Sequence, residues 1–224
     1  KDFEIFKPKL EKIVSLLREF TEYYGYKENK YDALLNQFEE GLTVKKVDKL
    51  FNELKEGILN LLGRIKNSTK VVNSKLLEGK YPIEAQKELS EYLLDVIKFD
   101  KEAGRLDETT HPFTLNMGNK DVRITTHYYE DNLLSNIFSI VHEGGHALYE
   151  PHIPDTLVNT GLDGGASMGI HESQSRFYEN IVGRSKEFLN FILPHIKEKF
   201  PSLSDITLDE FYEGVNCVKP SLIR

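Results

Sequence analysis

The sequence predicts a mainly α fold with one small β element, and three observations carry that prediction. Apolar residues recur at three- and four-residue steps through most of the first hundred positions, the spacing that places them on one face of a helix. Alternation with period two appears in one short stretch, between Phe113 and Tyr129. The composition is that of a folded globular chain, with 224 residues, 39% hydrophobic and 29% charged, 15 Gly and 8 Pro. A chain of this length buries roughly 70% of its unfolded surface, so neither a disulfide nor a structural metal is required for folding.

The elements follow in order. Pro8 suits a first helical turn, and Leu10, Ile13, Val14, Leu17 and Phe20 form a stripe that Gly25 ends. A short helix over Tyr31 to Phe38 stops near Gly41, after which Thr43 caps a longer one carrying Val44, Val47, Leu50, Phe51, Leu54, Ile58, Leu61, Leu62 and Ile65. Pro82 opens another, with Ile83, Leu89, Leu93, Val96 and Ile97 on its apolar face. All these stripes are expected to pack as core. Phe113–Met117 and Val122–Thr126 form a hairpin around Gly118-Asn119-Lys120. Asp131 caps a helix that runs to about Tyr149 and stops at Pro151, and Gly161 to Gly169 is a glycine-rich loop. Helices then run from about Ile170 to Val182, over Lys186–Lys199, and from the capping box Thr207-Leu208-Asp209-Glu210 towards Arg224, limited by Pro220.

Charge and cysteine content narrow the function. A net charge of -7 argues against nucleic acid, and Cys217, the one cysteine, excludes an internal disulfide or a cysteine-based zinc site. No apolar run approaches the roughly 18 residues of a membrane span, and no signal-peptide core is visible, so a cytoplasmic setting is expected.

The strongest chemical signal is His142-Glu143-Gly144-Gly145-His146. Four residues apart on a helix, the two imidazoles share a face and can converge on one metal ion, while Glu143 is placed to take a proton from water held there. Independent residue frequencies would produce this pattern in about one such chain in forty. Gly144 and Gly145 each cost about 1 kcal/mol against Ala inside a helix, so a close approach of backbone or substrate at that face must offset them. A third ligand is needed, and His152, Asp155, Asp163, His171, Glu172 and Glu179 lie downstream. Glu172 stands out because it opens a helix and Arg176 can hold it by an i,i+4 pair, but spacing does not separate it from His171. Gly165-Ala166-Ser167-Met168-Gly169 also satisfies the nucleophile-elbow pattern, without the strand that an elbow must follow.

Four blocks together resemble the carboxypeptidase Taq family of zinc metallopeptidases: His111-Pro112-Phe113, Asp121-x-Arg123-x-Thr125, His142-Glu143-x-x-His146, and Asp163 through His171-Glu172-Ser173 to Arg176. The resemblance implies a multi-helix, zincin-like fold with the small β element beside the active-site helix, His142, His146 and Glu172 as ligands of Zn2+ or another divalent metal such as Co2+, and Glu143 as general base. It implies a metallocarboxypeptidase acting on peptides with a free C-terminus, and a homodimer in full-length form. Exopeptidase action needs a cation for the terminal carboxylate; Arg123 and Arg224 are the candidates, with His111 a further substrate contact. An endopeptidase or aminopeptidase on a related zinc scaffold, or a catalytically silent fragment, is the alternative. Residues 1–224 are expected to form part of one helical domain, helical over 1–110 and metal-binding over 111–224. The chain begins at Lys1, a later family motif starts at Ile223-Arg224 and is cut off, and truncation at both ends is therefore expected.

Overall fold

A computed structural model describes residues 2–118 and 120–218. The chain divides into two compact units, one of Lys1–Lys70 with Ser167–Gly169 and one of Val71–Ala166 with Ile170–Arg224. Both are mainly helical, as the periodicity predicts.

The first unit holds α1 (Phe3–Tyr24), α2 (Lys30–Phe38) and α3 (Val44–Lys66). Asp2, Asn29 and Thr43 cap them, each side chain accepting a backbone N–H of the first turn. The expected burial of their apolar stripes fails. No residue of α3 is buried, and Phe51 and Leu54 remain 59% and 53% exposed. Within the unit α2 contacts both neighbours, and its 9 residues cannot cover stripes on helices of 22 and 23 residues.

The second unit contains α4 (Ile83–Val96), β1 (Gly104–Glu108), β2 (Phe113–Gly118), β3 (Asp121–Thr126), α5 (Leu133–Tyr149), α6 (Met168–Arg176) from Ile170 onward, a π-helical segment Phe177–Val182, α7 (Lys186–Lys199) and α8 (Leu208–Val215). The hairpin β2–β3 forms in the predicted place, with a register shift between Asn116 and Gly118. Sequence reading misses β1, which lies parallel to β3 and gives the sheet order β1-β3-β2. Only Leu106 is apolar in Gly-Arg-Leu-Asp-Glu, so this edge strand has no alternating pattern to announce it. The side chain of Asn132, not Asp131, caps α5 by accepting the N–H of Ser135. α8 begins at the predicted capping box but ends at Val215, and residues 219–224 lie outside the described residues.

One core holds this unit together. Leu89, Leu93 and Leu94 of α4, Ile137 and Ile140 of α5, and Leu189, Ile192 and Ile196 of α7 meet with Phe200 and Phe211. Each such side chain, fully buried, contributes about 1.5–3 kcal/mol. A polar knot fixes α4 against α5: Ser90 lies 2.9 Å from Asn136 Oδ1, Asn136 donates to the Gln86 carbonyl, and Gln86 donates to the carbonyls of Tyr81 and Tyr129. Through these bonds the Gln86 amide nitrogen, Ser90 and Asn136 are paired, and they set the register of α5, the helix that carries the motif.

Candidate metal centre

The motif lies in the C-terminal half of α5. His142 and His146 project from one face with ring centroids 5.0 Å apart, as four-residue spacing requires. The two glycines between them are explained by what lies opposite. A Cβ on Gly144 would fall 2.1 Å from Ile97 Cδ1, and one on Gly145 would fall 2.8 Å from Ser175 Cα and 3.2 Å from the Gln174 carbonyl oxygen. At Gly145 the backbone of α6 rests directly on α5, and that close approach brings Glu172 to the histidines.

Glu172 Oε2 lies 3.4 Å from His146 Nε2 and 3.7 Å from His142 Nε2. One ligand atom from each of the three residues lies within 4.8 Å of the other two, and among the described residues this is the group so arranged. Two imidazoles and a carboxylate around such a gap suit a divalent cation with a position left open. Arg176 Nε donates to Glu172 Oε1 at 2.7 Å, the pair expected from the sequence, and Ser175 donates to Oε2 at 3.1 Å. Burial would raise the Glu172 pKa; those partners and His142 outweigh it and lower it, keeping the carboxylate ionised.

The other candidate ligands stand elsewhere. Glu179 Oε2 lies 2.9 Å from His142 Nδ1, on the outward side of that ring, and also accepts from Arg176. A carboxylate behind a histidine orients the ring and makes its inner nitrogen more basic. His171 lies behind His146, with the two Nδ1 atoms 2.6 Å apart. His152 turns its Nδ1 to the Leu148 carbonyl, and Asp163 accepts the N–H of Asn159. The segment before Ser167 is turn and loop, so no strand builds a nucleophile elbow there.

Burial, and next the neighbouring His171 and His142 imidazoles, hold His146 down at about 4, so it is neutral at pH 7. Burial opposes the charged form of His142 as well, but its hydrogen bond to Glu179 and the surrounding carboxylates raise its pKa. Glu143, 7% exposed, has its pKa raised by burial, in part offset by Thr114, whose hydroxyl lies 2.7 Å from Oε2 and 2.9 Å from the Glu143 carbonyl oxygen.

A cavity of about 630 Å³ opens beside His142 and Glu143, with His111, Pro112, Phe138, Arg176, Arg184 and Cys217 in its wall. Arg184 was not singled out from the sequence; it donates to the Val215 carbonyl and stacks 3.8 Å above the Phe138 ring. Arg123 is placed differently from His111. Thr114, which reaches Glu143, stands opposite Ile124 on β3, so Arg123 projects from the other face of the sheet, where it grips Asp121 through two hydrogen bonds of 2.9 and 2.7 Å. Arg224 lies outside the described residues.

A helix presenting His-Glu-x-x-His beside a carboxylate from a second helix is the arrangement of metal-dependent peptidases. The Carboxypeptidase Taq (M32) metallopeptidase family model matches residues 1–224, and the chain belongs to that family. It is 46% identical over 224 residues to Carboxypeptidase 1 of Bacillus subtilis, covering 100% of this chain and 45% of the relative. To Thermostable carboxypeptidase 1 of Thermus thermophilus it is 43% identical over 235 residues, covering 100% and 46%. The BsuCP crystal structure superposes with a TM-score of 0.94 at 46% identity, covering 98% of this chain and 44% of that one. A structure of Pyrococcus furiosus carboxypeptidase gives 0.88 at 44% identity, covering 98% and 44%. The chain thus spans about 45% of the length of the curated relatives it matches. Among the described residues no helix is long and apolar enough to cross a membrane.

Proposed function

We propose that this chain carries the metal centre and general base of a zinc carboxypeptidase, which hydrolyses the last peptide bond of substrates with a free C-terminus. The convergence of His142, His146 and Glu172 beside the buried Glu143 carries the reading. The relatives bear the name carboxypeptidase. Zn2+ suits two imidazole nitrogens and one carboxylate oxygen, and when bound supplies Lewis acidity towards water and the scissile carbonyl. His142, His146 and Glu172 would hold it, with Glu179 and Arg176 keeping His142 and Glu172 oriented.

Glu143 then acts as the base. The Thr114 hydroxyl occupies the Oε2 side of its carboxylate, which leaves Oε1 to take a proton from water and later deliver it to the departing amine. Burial favours the protonated form after the first transfer, so the proton is held until the amine leaves. His111 lines the cavity next to Glu143 and is assigned a substrate contact there. Arg123, bound to Asp121 on the far face of the sheet, is a weaker choice for the terminal carboxylate.

Glu143→Gln tests the assignment, since it keeps size and removes the base. Zinc content should stay near one equivalent while turnover of a free-C-terminal peptide falls by about 10² to 10⁴. Loss of zinc would make Glu143 a ligand. Equal cleavage of the C-terminally amidated peptide would make the enzyme an endopeptidase or aminopeptidase.

A further inference from the structure

His171 is the unassigned group closest to the centre, and its surroundings form a closed sequence of hydrogen bonds. Its Nδ1 lies 2.6 Å from His146 Nδ1, its Nε2 lies 2.6 Å from Glu150 Oε1, and Glu150 Oε2 accepts from the Asn116 amide at 2.6 Å. Two imidazole nitrogens at that separation need one proton between them. His146 turns Nε2 towards Glu172, so a lone pair directed at a metal from Nε2 leaves the His146 proton on Nδ1, where it is donated to His171. The His171 proton then sits on Nε2 and is donated to Glu150. Every donor meets an acceptor in that one arrangement, and it anchors the His146 ring through three residues to β2.

The glycine-rich loop supplies the other half of the argument. A Cβ on Gly165 would fall 2.9 Å from His171 Cδ2 and 3.0 Å from Tyr149 Cε1. Neither ring is free to yield: His171 is bonded at both nitrogens, and the Tyr149 hydroxyl oxygen accepts the Ala166 N–H at 3.2 Å. The two rings pack at a centroid distance of 4.7 Å. The loop therefore closes over His171 at a point where only glycine fits.

We propose that His171 is a positioning residue that fixes the tautomer and ring orientation of His146 by way of Glu150 and Asn116, and that Gly165 and Ala166 seat it. The inference rests on the reading of His146 as a metal ligand. It also gives the glycine-rich block a role: the loop acts on the geometry of His146 through His171, against which Gly165 packs.

The test is the Zn2+ dissociation constant of the purified protein, measured by competition with a chromogenic chelator, with melting of the metal-free protein in parallel. His171→Phe keeps the ring and loses both hydrogen bonds, and should weaken zinc binding about 10- to 100-fold. His171→Gln can accept from His146 and donate to Glu150, and should restore affinity to within about threefold of the parent. Gly165→Ala, which displaces His171 without removing its hydrogen-bonding groups, should weaken zinc about fivefold, less than the 10- to 100-fold typical of losing an outer partner. Metal-free melting should fall for Gly165→Ala, whose Cβ meets two held rings, and change little for His171→Gln, so the split in zinc affinity between the Phe and Gln variants is the readout that a merely structural role would not produce. Zinc binding by His171→Phe within twofold of the parent, or an equal loss in the Phe and Gln variants, overturns the inference. His146→Ala separates the two readings. If it loses zinc while His171→Phe does not, the positioning role alone fails; if it keeps zinc, both fail.

Discussion

Thr114 offers a single hydroxyl proton to two acceptors on Glu143, the carboxylate and the main-chain carbonyl. Thr114→Val keeps the shape and removes that donor. A hydrogen bond to a charged group contributes about 1.5–3 kcal/mol, so kcat should fall roughly tenfold or more with zinc content unchanged. A second residue-scale prediction concerns Tyr81, 1% exposed, whose hydroxyl donates to the Leu77 carbonyl at 2.9 Å. Burial raises its pKa above the ordinary phenol value of 10.0. The folded state therefore keeps a proton that the unfolded state loses, and stability declines as pH rises from about 10 through the folded value. Chemical denaturation at pH 8 and pH 11 should show a smaller alkaline loss in Tyr81→Phe than in the parent. At this scale the proposed ligands His142 and His146 were legible because four-residue spacing on a helix is a local signal, whereas Glu172 was separated from His171 only by the family resemblance. Glu150 and Asn116 were not legible, since they reach His171 from other elements and nothing near them in the sequence marks the contact.

At the scale of elements, two glycines in helices make opposite predictions. Gly145 has the backbone of α6 against it, so Gly145→Ala should force α5 and α6 apart, cost about 1–3 kcal/mol and weaken zinc binding by displacing Glu172. Gly57 in α3 has nothing within 4 Å of an added Cβ, so Gly57→Ala should stabilise its helix by about 0.5–1 kcal/mol. Thermal melts of the two variants should move in opposite directions. Two glycines inside a helix announce a close approach, but the partners, Ile97 at Gly144 and the backbone of α6 at Gly145, are known only once the elements are packed. The start of α8 was readable because the Thr207 box is a cap signal in the chain itself. The strand β1 was not, because main-chain pairing with β3 holds it there and its side chains carry no pattern.

For the whole molecule, the apolar faces of α1 and α3 are where sequence periodicity and structure part most clearly. Periodicity reports that a face is suited to burial; it does not report whether enough surface is at hand to bury it, and α2 is too short to do so. Leu54→Gln and Ile58→Gln, at positions 53% and 46% exposed, should each change stability of this chain by less than about 0.5 kcal/mol while reducing self-association measured by light scattering. Metal removal acts on the other unit. Zinc at about a thousand times its dissociation constant should add about 4 kcal/mol to the unit that binds it, so chelation should lower that melting transition by about 8–16 °C.

The π-helical turn Phe177–Val182 follows α6 without a break, and Glu172 and Glu179 fall on either side of the junction, one facing the proposed metal and the other facing the back of a ligand. A π turn holds one residue more than an α turn, so the two carboxylates are in step only for this number of residues. Removing one residue between them would rotate Glu179 by about 100°, the angle per residue of a helix with 3.6 residues per turn, and carry it away from His142. Substitutions between Glu172 and Glu179 can be absorbed; changes of length cannot. The segment behaves as a ruler of fixed count, and a working relative should carry seven steps from the first carboxylate to the second, with neither insertion nor deletion.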